Sequence, residues 1–503
     1  MIRVLGGRKQ LCDGLTRRDL LHAGGLSLFG MGLTDANISA LQAASAAAAP
    51  GETLPGFGKA KACILLFLYG SPSQLETFDP KPAAPSGIRG EWGSIPSNVP
   101  GMDVCEMLPK MSRVMDRATV IRSMTHPHPL HGVAFATSGI PRILGPEELN
   151  PRDTSHWPFM GSVVEYADRM KAAHGAADVP GNLVLPFAFS SQRIGEVARA
   201  GPYAGFLGGA YDPISVDFDG KATKNAKKTL RDMTWDQPEP YRGITPESRF
   251  RVGPPMGSNP GVDLTFDRLD RRRSLLDQFE RARANAPDDD SGIERHRSMA
   301  YSMLGSPRLR QAFDLDRESA DTREMYGMTL FGQATLTARR LVEAGGRFIT
   351  VFWDEYGLAG TGWDTHWDHY NRMRDELLPG LDQTLSALLL DLDRRGMLDE
   401  TLVLCLSEHG RTPQITTGQG GGRDHWSRCY STLLAGGGIA RGRVVGRSDK
   451  VAGDPVDHPV SPKDILATTY HLLGVAPDTM LADRQGRPMP LTQDAKVIAE
   501  ALA

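Results

Sequence analysis

The stretch Thr401 to Trp426, TLVLCLSEHGRTPQITTGQGGGRDHW, runs from a short apolar segment into the adjacent pair Glu408 and His409, and after a glycine-rich loop presents Asp424 and His425. Upstream, GWDTHWDHY supplies Asp364, His366, Asp368 and His369. Carboxylates and imidazoles are oxygen and nitrogen donors of the kind that hold zinc, manganese or iron, rather than the donors of a thiolate site. A metal held there would polarise an ester oxygen and lower the pKa of bound water from about 15.7 toward about 7, making hydroxide available at neutral pH. The chemistry expected of these residues is metal-assisted hydrolysis.

A third histidine-bearing stretch, SMTHPHPLHG, places His126, His128 and His131 after a second apolar run. Three imidazoles interleaved with prolines do not read as core, and imidazole ligates metal or moves protons near neutral pH. Such groups need a scaffold, and the apolar runs provide it. Cys63 to Tyr69 is continuously apolar and bounded by Gly70, as expected of a strand buried on both faces, and Leu402 to Leu406 has the same character. Ser73, Glu76 and Asp79 follow the first run, at the rim where open α/β sheets place their chemistry; capping is the plainer role for Ser73 and Asp79.

Between these runs the pattern alternates. We expect helices over Glu106–Asp116, Trp157–Ala173, Glu376–Arg395 and Pro462–Leu473, and strands over Thr119–Ser123, Leu183–Phe189 and Tyr430–Ala435. MTLFGQATLTARRLVEAGGRFITVFW reads as helix, glycine stop and strand. Leu381, Leu385, Leu388 and Leu392 recur at helical spacing. From Gly201 to Pro260 glycine, proline and charge dominate, which predicts surface loops or an inserted cap, within a loop-rich insertion over about 201–300. LDRRRSLLDQFERARA reads as a charged helix with a solvated face, and PDDDSG over Pro287–Gly292 as a flexible break.

The 503 residues carry 57 Lys+Arg against 60 Asp+Glu, a net charge of -3, which argues against a general nucleic-acid binder held by phosphate contacts. Hydrophobic residues make up 40%, enough at this length for a large core. The five cysteines, Cys12, Cys63, Cys105, Cys405 and Cys429, show no metal-site spacing. At the N-terminus, Thr16, Arg17, Arg18, Asp19 and Leu20 precede a moderately apolar stretch and the small-residue run ALQAASAAAAP. This resembles a twin-arginine export signal over 1–49, removed from a mature domain over 50–503, and the apolar stretch is short for a bilayer span. The expected location is periplasmic or extracellular, with the twin-arginine translocase as a partner during export and no stable membrane anchor.

LSEHGRTP resembles the Ser-Asp-His-Gly metal motif of the alkaline phosphatase and sulfatase superfamily, with Glu408 where that superfamily has Asp. Together with GSPSQLETFDPKP, RSMTH, LDRRRSLLDQF, AFDLDRE, FGQATLTARRLVEAGGRFITV, GWDTH and GRDHW, it is similar to the exported domain of unknown function 1501 family, itself placed among sulfatase-like proteins. The resemblance implies an alkaline-phosphatase-like three-layer α/β/α fold with a central, mostly parallel sheet and one or two divalent ions, zinc first, with manganese or iron as alternatives. Glu408 and His409 match the paired ligands, Asp364 with His366 the earlier ligand segment, with His369 as a rival, and His425 the late histidine, with Asp424 beside it as ligand or supporting partner.

Two departures stand out. Tyr69 and Gly70 occupy the end of the first strand, where active relatives carry Asp; Glu76 or Asp79 are the substitutes at hand. His131 lies near the place of the expected nucleophile, without hydroxyl or thiol, so formylglycine chemistry is not expected. The first reading is an exported hydrolase of sulfate or phosphate esters in which water attacks directly. His131 or His128 protonates the leaving oxygen, and Arg411 either stabilises the non-bridging oxygens or forms a structural salt bridge. Its substrate would be a small anionic ester or a sulfated or phosphorylated glycan. The alternative is a catalytically degenerate member serving in binding or surface assembly, which the missing Asp and nucleophile favour.

Overall fold

The computed structural model describes residues 54–143, 150, 152–171, 179–193, 197–230, 233–252, 305–357, 362–418 and 420–503. The chain divides into two units, Met1–Leu54 and Pro55–Ala503, and the elements below belong to the second. The export signal, the helix LDRRRSLLDQFERARA and the break at Pro287–Gly292 lie outside the described residues.

Nine strands form the central sheet: β1 (Ala62–Leu68), β2 (Ala118–Met124), β3 (Asn182–Leu185), β4 (Ile214–Asp219), β5 (Arg249–Val252), β6 (Phe348–Trp353), β7 (Thr401–Leu406), β8 (Tyr430–Ala435) and β9 (Arg443–Val445). Their order across the sheet is β5-β4-β3-β6-β1-β7-β8-β2-β9. β1 is central and pairs in parallel with β6 and β7, Cys63 lying opposite both Phe348 and Leu402. A strand so enclosed has no solvent face, which is why its sequence shows an unbroken apolar run. Only β5 and β8 run against the rest: β8 is antiparallel to β7 and β2, and β5 to β4.

Helices cover both faces. The main ones are α1 (Val133–Thr137), α2 (Met160–Lys171), α3 (Leu330–Glu343), α4 (Leu378–Arg394) and α5 (Pro462–Leu472). Successive side chains of a strand point to opposite faces. On β6, Phe348 meets Phe159 at the start of α2 (ring centroids 5.6 Å), whereas Trp353 stacks on Phe331 of α3 at 4.4 Å. The result is a three-layer α/β/α fold around a mostly parallel sheet. α3 begins at Thr329, whose hydroxyl accepts from Gly332 N, and α5 at a capping box formed by Ser461 and Asp464. Leu381, Leu385, Leu388 and Leu392 of α4 are fully buried.

Three expectations need correction. Glu106–Asp116 is not one helix but two short 3-10 turns, Met111–Arg113 and Met115–Arg117. Leu108, Met111, Val114 and Met115 are buried as the helical spacing implies, but Pro109 interrupts the run. The Asp382 carboxylate accepts from the amides of Lys110 (3.0 Å) and Met111 (2.7 Å) instead. Leu183–Phe189 ends as a strand at Leu185, where Pro186 offers no ladder donor. The described part of 201–260 is more regular than loops or a cap: β4 and β5 extend the main sheet, and Asn225–Leu230 pairs with Met233–Pro238 as a hairpin. Among the described residues no helix is long and apolar enough to cross a membrane.

Candidate metal centre

At the C-terminal edge of the parallel strands, β1 gives way to Tyr69, Gly70 and Ser71, and β7 to Ser407, Glu408 and His409. Gly70 has φ +92, and a Cβ there would lie 2.3 Å from Asp364 N, so the Asp364 segment crosses directly over the end of β1. Trp363, fully buried, anchors that crossing: its N–H donates to Tyr69 O at 3.2 Å. Gly70 N donates to Glu408 Oε1 (2.7 Å), and His409 N to Ser71 Oγ (3.1 Å), locking the two strand ends together. A two-residue antiparallel ladder, Gly410 with Trp426 and Arg411 with His425, folds the late histidine back over the same rim. His126 joins β2 to the rim through Glu408 O (2.8 Å), and five residues later His131 enters the cluster just before α1.

The side chains converge on Asp364. His131 Nε2 lies 3.3 Å from Asp364 Oδ2, while its Nδ1 lies 2.9 Å from Glu408 Oε1. His366 Nε2 and His425 Nε2 lie 3.0 and 3.3 Å from Asp364 Oδ1. Potential ligand atoms of His131, Asp364, His366 and His425 fall within 4.8 Å of one another, as do those of His131, Glu408 and His409. Asp424 stands outside both groups and accepts from His366 Nδ1 at 2.7 Å. It has the place of the partner that orients a ligating imidazole rather than of a ligand.

A test of fit comes from the buried atoms. Glu408 Oε2 and His409 Nε2 are buried and have no hydrogen-bond partner. An uncompensated buried polar atom costs about 1–3 kcal/mol, and a carboxylate oxygen and an imidazole nitrogen are both metal-ligand atoms. The residues present fit a divalent ion with oxygen and nitrogen ligands.

Electrostatics follow from the packing. Burial works against the charged form of Asp364, but hydrogen bonds from His131, His366 and His425 and the charge of Arg411 hold its carboxyl far below the usual range. Burial would lower His131, yet Asp364 and Glu408 raise it to about 9. Hydrogen bonding to Asp364 raises His366, whereas burial depresses His425 and, with Arg411 and the neighbouring imidazoles, drives His409 well below its ordinary value. Neutral imidazole is the ligating form, which burial favours at His409 and His425.

Four other sequence expectations resolve differently. Arg411 is fully buried and donates to Ser71 O (3.1 Å), Arg423 O (3.1 Å), Gly70 O and Asp364 Oδ1 (2.5 Å). It forms a structural salt bridge with Asp364, the second of the two roles expected of it, and rim carbonyls take its other N–H groups. His128 packs edge-on against Phe135 at 4.8 Å, outside both ligand groups. His369 is not the rival of His366: it is buried beside Thr365 and Glu76. Neither Glu76 nor Asp79 replaces the first-strand acid, since Glu76 pairs with Arg423 and Asp79 with Lys81 and Ser448.

The sequence reading missed what Tyr69 does. Its ring stacks on His131 at 5.0 Å and lies 3.8 Å beneath the Arg199 guanidinium, which Asp354 holds through both carboxylate oxygens. Asp354 directly follows β6, and that rim position was the available signal. Cys63, Cys105, Cys405 and Cys429 are buried free thiols outside the cluster.

Residues 60–502 match the family described as a protein of unknown function, DUF1501. No curated protein matches the sequence. Similar solved structures include the sulfatase PsFucS1 from Pseudoalteromonas sp., at 12% identity, covering 87% of this chain and 70% of that one with a TM-score of 0.36. The lipoteichoic acid synthase LtaP from Listeria monocytogenes matches at 9% identity, over 90% and 79% of the two chains, with a TM-score of 0.34. The phosphonate monoester hydrolase SpPMH from Silicibacter pomeroyi matches at 11% identity, over 42% and 55%, with a TM-score of 0.20.

Proposed function

The chain belongs to the DUF1501 family, and from the side chains gathered at its sheet rim we propose that it is an exported, metal-dependent hydrolase of phosphate or sulfate esters. The observation that carries this reading is the pair of buried, unpartnered ligand atoms, Glu408 Oε2 and His409 Nε2, beside the Asp364 cluster. Asp364, His366 and His425 would hold one ion and Glu408 with His409 a second. The donor set, without thiolate, suits zinc, with manganese and iron as alternatives. When bound, the metal supplies Lewis-acid activation of the ester and of water.

The chain's own residues do the rest. Asp424 fixes the ring of His366 through Nδ1, leaving Nε2 toward Asp364. Tyr69 backs His131 against Asp364 and Glu408, which places that imidazole beside both ligand groups, where a general acid toward a leaving oxygen would stand. Arg411 holds Asp364 in place from beneath. With His131 near the place of the superfamily's nucleophile, water is taken as the nucleophile, and the substrate as a small anionic ester or a sulfated or phosphorylated glycan. The leader at Thr16–Leu20 supports export of the folded protein.

The test is elemental analysis of the purified chain and of a Glu408→Ala, His409→Ala double variant, followed by assays on aryl phosphate and aryl sulfate esters. Stoichiometric metal in the wild type, lost from a folded variant together with hydrolysis, is the expected result. A wild-type protein that takes up no metal after reconstitution would refute the reading and leave a binding or assembly role as the better one.

A further inference from the structure

Beneath the metal centre lies a second polar group that none of its chemistry uses. Glu76, Thr365, His369 and Arg423 are all at most 1% exposed, and they come from three stretches of the chain. Glu76 Oε1 accepts from Arg423 Nε at 3.1 Å and from Arg423 Nη2. The other oxygen, Oε2, faces His369 Nε2 at 3.6 Å, an electrostatic contact longer than a hydrogen bond, and neither atom has a hydrogen-bond partner. On its far side His369 Nδ1 lies 2.8 Å from Thr365 Oγ1. The circuit closes through the backbone, because Arg423 N donates to Thr365 O at 3.1 Å.

Burying an ion pair and an imidazole is costly, and apolar side chains of similar size would stabilise the fold as well or better. The place of the ring in the sequence suggests what it does. Thr365 stands between Asp364 and His366, and Arg423 directly precedes Asp424 and His425. The two segments also pass at backbone contact, since a Cβ on Gly422 would lie 1.9 Å from His366 O. The Arg423 guanidinium further ties this junction to Thr412 O (3.0 Å) and Ile88 O (2.8 Å).

We propose that Glu76, His369, Thr365 and Arg423 form a closed positioning ring that sets the separation of Asp364 and His366 from His425, and so the affinity and geometry of the metal they would hold. The inference rests on the metal-centre reading above. Glu76 is its key member: it joins the imidazole to the guanidinium, and with no charge on the carboxylate the two lose their common anchor. It is a positioning residue, not a ligand.

The experiment is cobalt(II) and zinc binding to the full mature chain, comparing wild type with Glu76→Gln, with thermal unfolding of each metal-free protein alongside. The expected result is a 10–100-fold loss of affinity in Glu76→Gln, the range that outer partners of metal ligands typically show, with an altered cobalt absorption spectrum. Thr365→Val, which removes only the hydroxyl facing His369, is the second variant should Glu76→Gln fail to fold. It should weaken binding about tenfold, and Thr365→Ser should restore it. Variants less thermally stable but with wild-type cobalt spectrum and affinity would overturn the ring's role while leaving the metal centre standing. A wild type that binds neither metal would overturn the metal centre itself, and the ring's role with it.

Discussion

Glu408→Gln separates a metal-binding carboxylate from a structural one. In the metal-free protein Glu408 uses a single oxygen, Oε1, to accept from Gly70 N (2.7 Å) and to meet His131 Nδ1 (2.9 Å), and the other oxygen is unpartnered. A glutamine carbonyl can take over the first role. What is lost is the charge in the contact with His131, roughly 1 kcal/mol when a charge-assisted hydrogen bond becomes a neutral one, and this is offset because a buried charge is removed too. The metal-free variant should therefore melt within about 1–2 °C of the wild type. With metal at a hundred times its Kd, a binding protein gains about 2.7 kcal/mol. For a folded unit spanning Pro55–Ala503, the unfolding entropy is about 1 kcal/mol per degree, so the wild type should shift upward by about 3 °C. Loss of a ligand charge costs at least about 100-fold in affinity, which leaves the variant a shift of less than about 1 °C at the same metal concentration. Scanning calorimetry with chelator and with zinc measures all four values. Equal metal-induced shifts in the two proteins would sink the assignment of Glu408 as a ligand.

Gly70→Ala should destabilise by about 3 kcal/mol or more, because it combines φ +92 with a Cβ 2.3 Å from Asp364 N. Gly101→Ala, at φ +80 with open space around it, should cost only about 1 kcal/mol, and urea unfolding of the two variants makes the comparison. Lys463 is buried, with its ammonium near Ser138 O (2.8 Å) and the Phe135 ring, and burial lowers it from 10.5 to about 7. The unfolded chain then binds the extra proton between those values, so wild-type stability should rise with pH from 7 to 10.5, by up to about 5 kcal/mol, a slope that Lys463→Met should lack. Parallel stability profiles for the two proteins would contradict it. For Glu76, burial opposes ionisation, but Arg423 and His369 outweigh it and hold the carboxyl at about 2. A depressed carboxyl contributes its stability above the unfolded value of about 4.5 and loses it as pH falls toward 2. The advantage of wild type over Glu76→Gln should accordingly shrink by about 3 kcal/mol over that range, about 2 kcal/mol of it readable in urea titrations between pH 5 and 3.

What the sequence made legible is what local pattern determines. β1 and β7 lie in the sheet interior, and a strand enclosed on both sides is almost wholly apolar, so Cys63–Tyr69 and Leu402–Leu406 are visible as runs. β4 and β5 lie at one end of the sheet, where ISVDFD and RFRV alternate polar with apolar as half-buried strands do, a short signal set among glycine, proline and charge that read as loop. The site divides along the same line. Glu408 and His409 could be singled out because they follow a legible strand, whereas the choice between His366 and His369 depends on a single backbone conformation between them. Asp368 adopts φ +51, so the short helix starts only at His369, and the two imidazoles do not share a helical face. His366 turns to Asp364 and His425 while His369 turns inward to Glu76. Arg411 teaches the same lesson from the other side. Beside a metal motif a cation suggests an anionic substrate, and only the convergence of Gly70 O, Ser71 O and Asp364, all remote in sequence, turns it into a buried tie. Residue type and strand ends identify which groups can do chemistry, but which of them converge at the rim is decided by contacts between segments hundreds of residues apart. That is why the proposed positioning ring, rather than any further ligand, is where a change of one side chain should alter the metal centre without touching it.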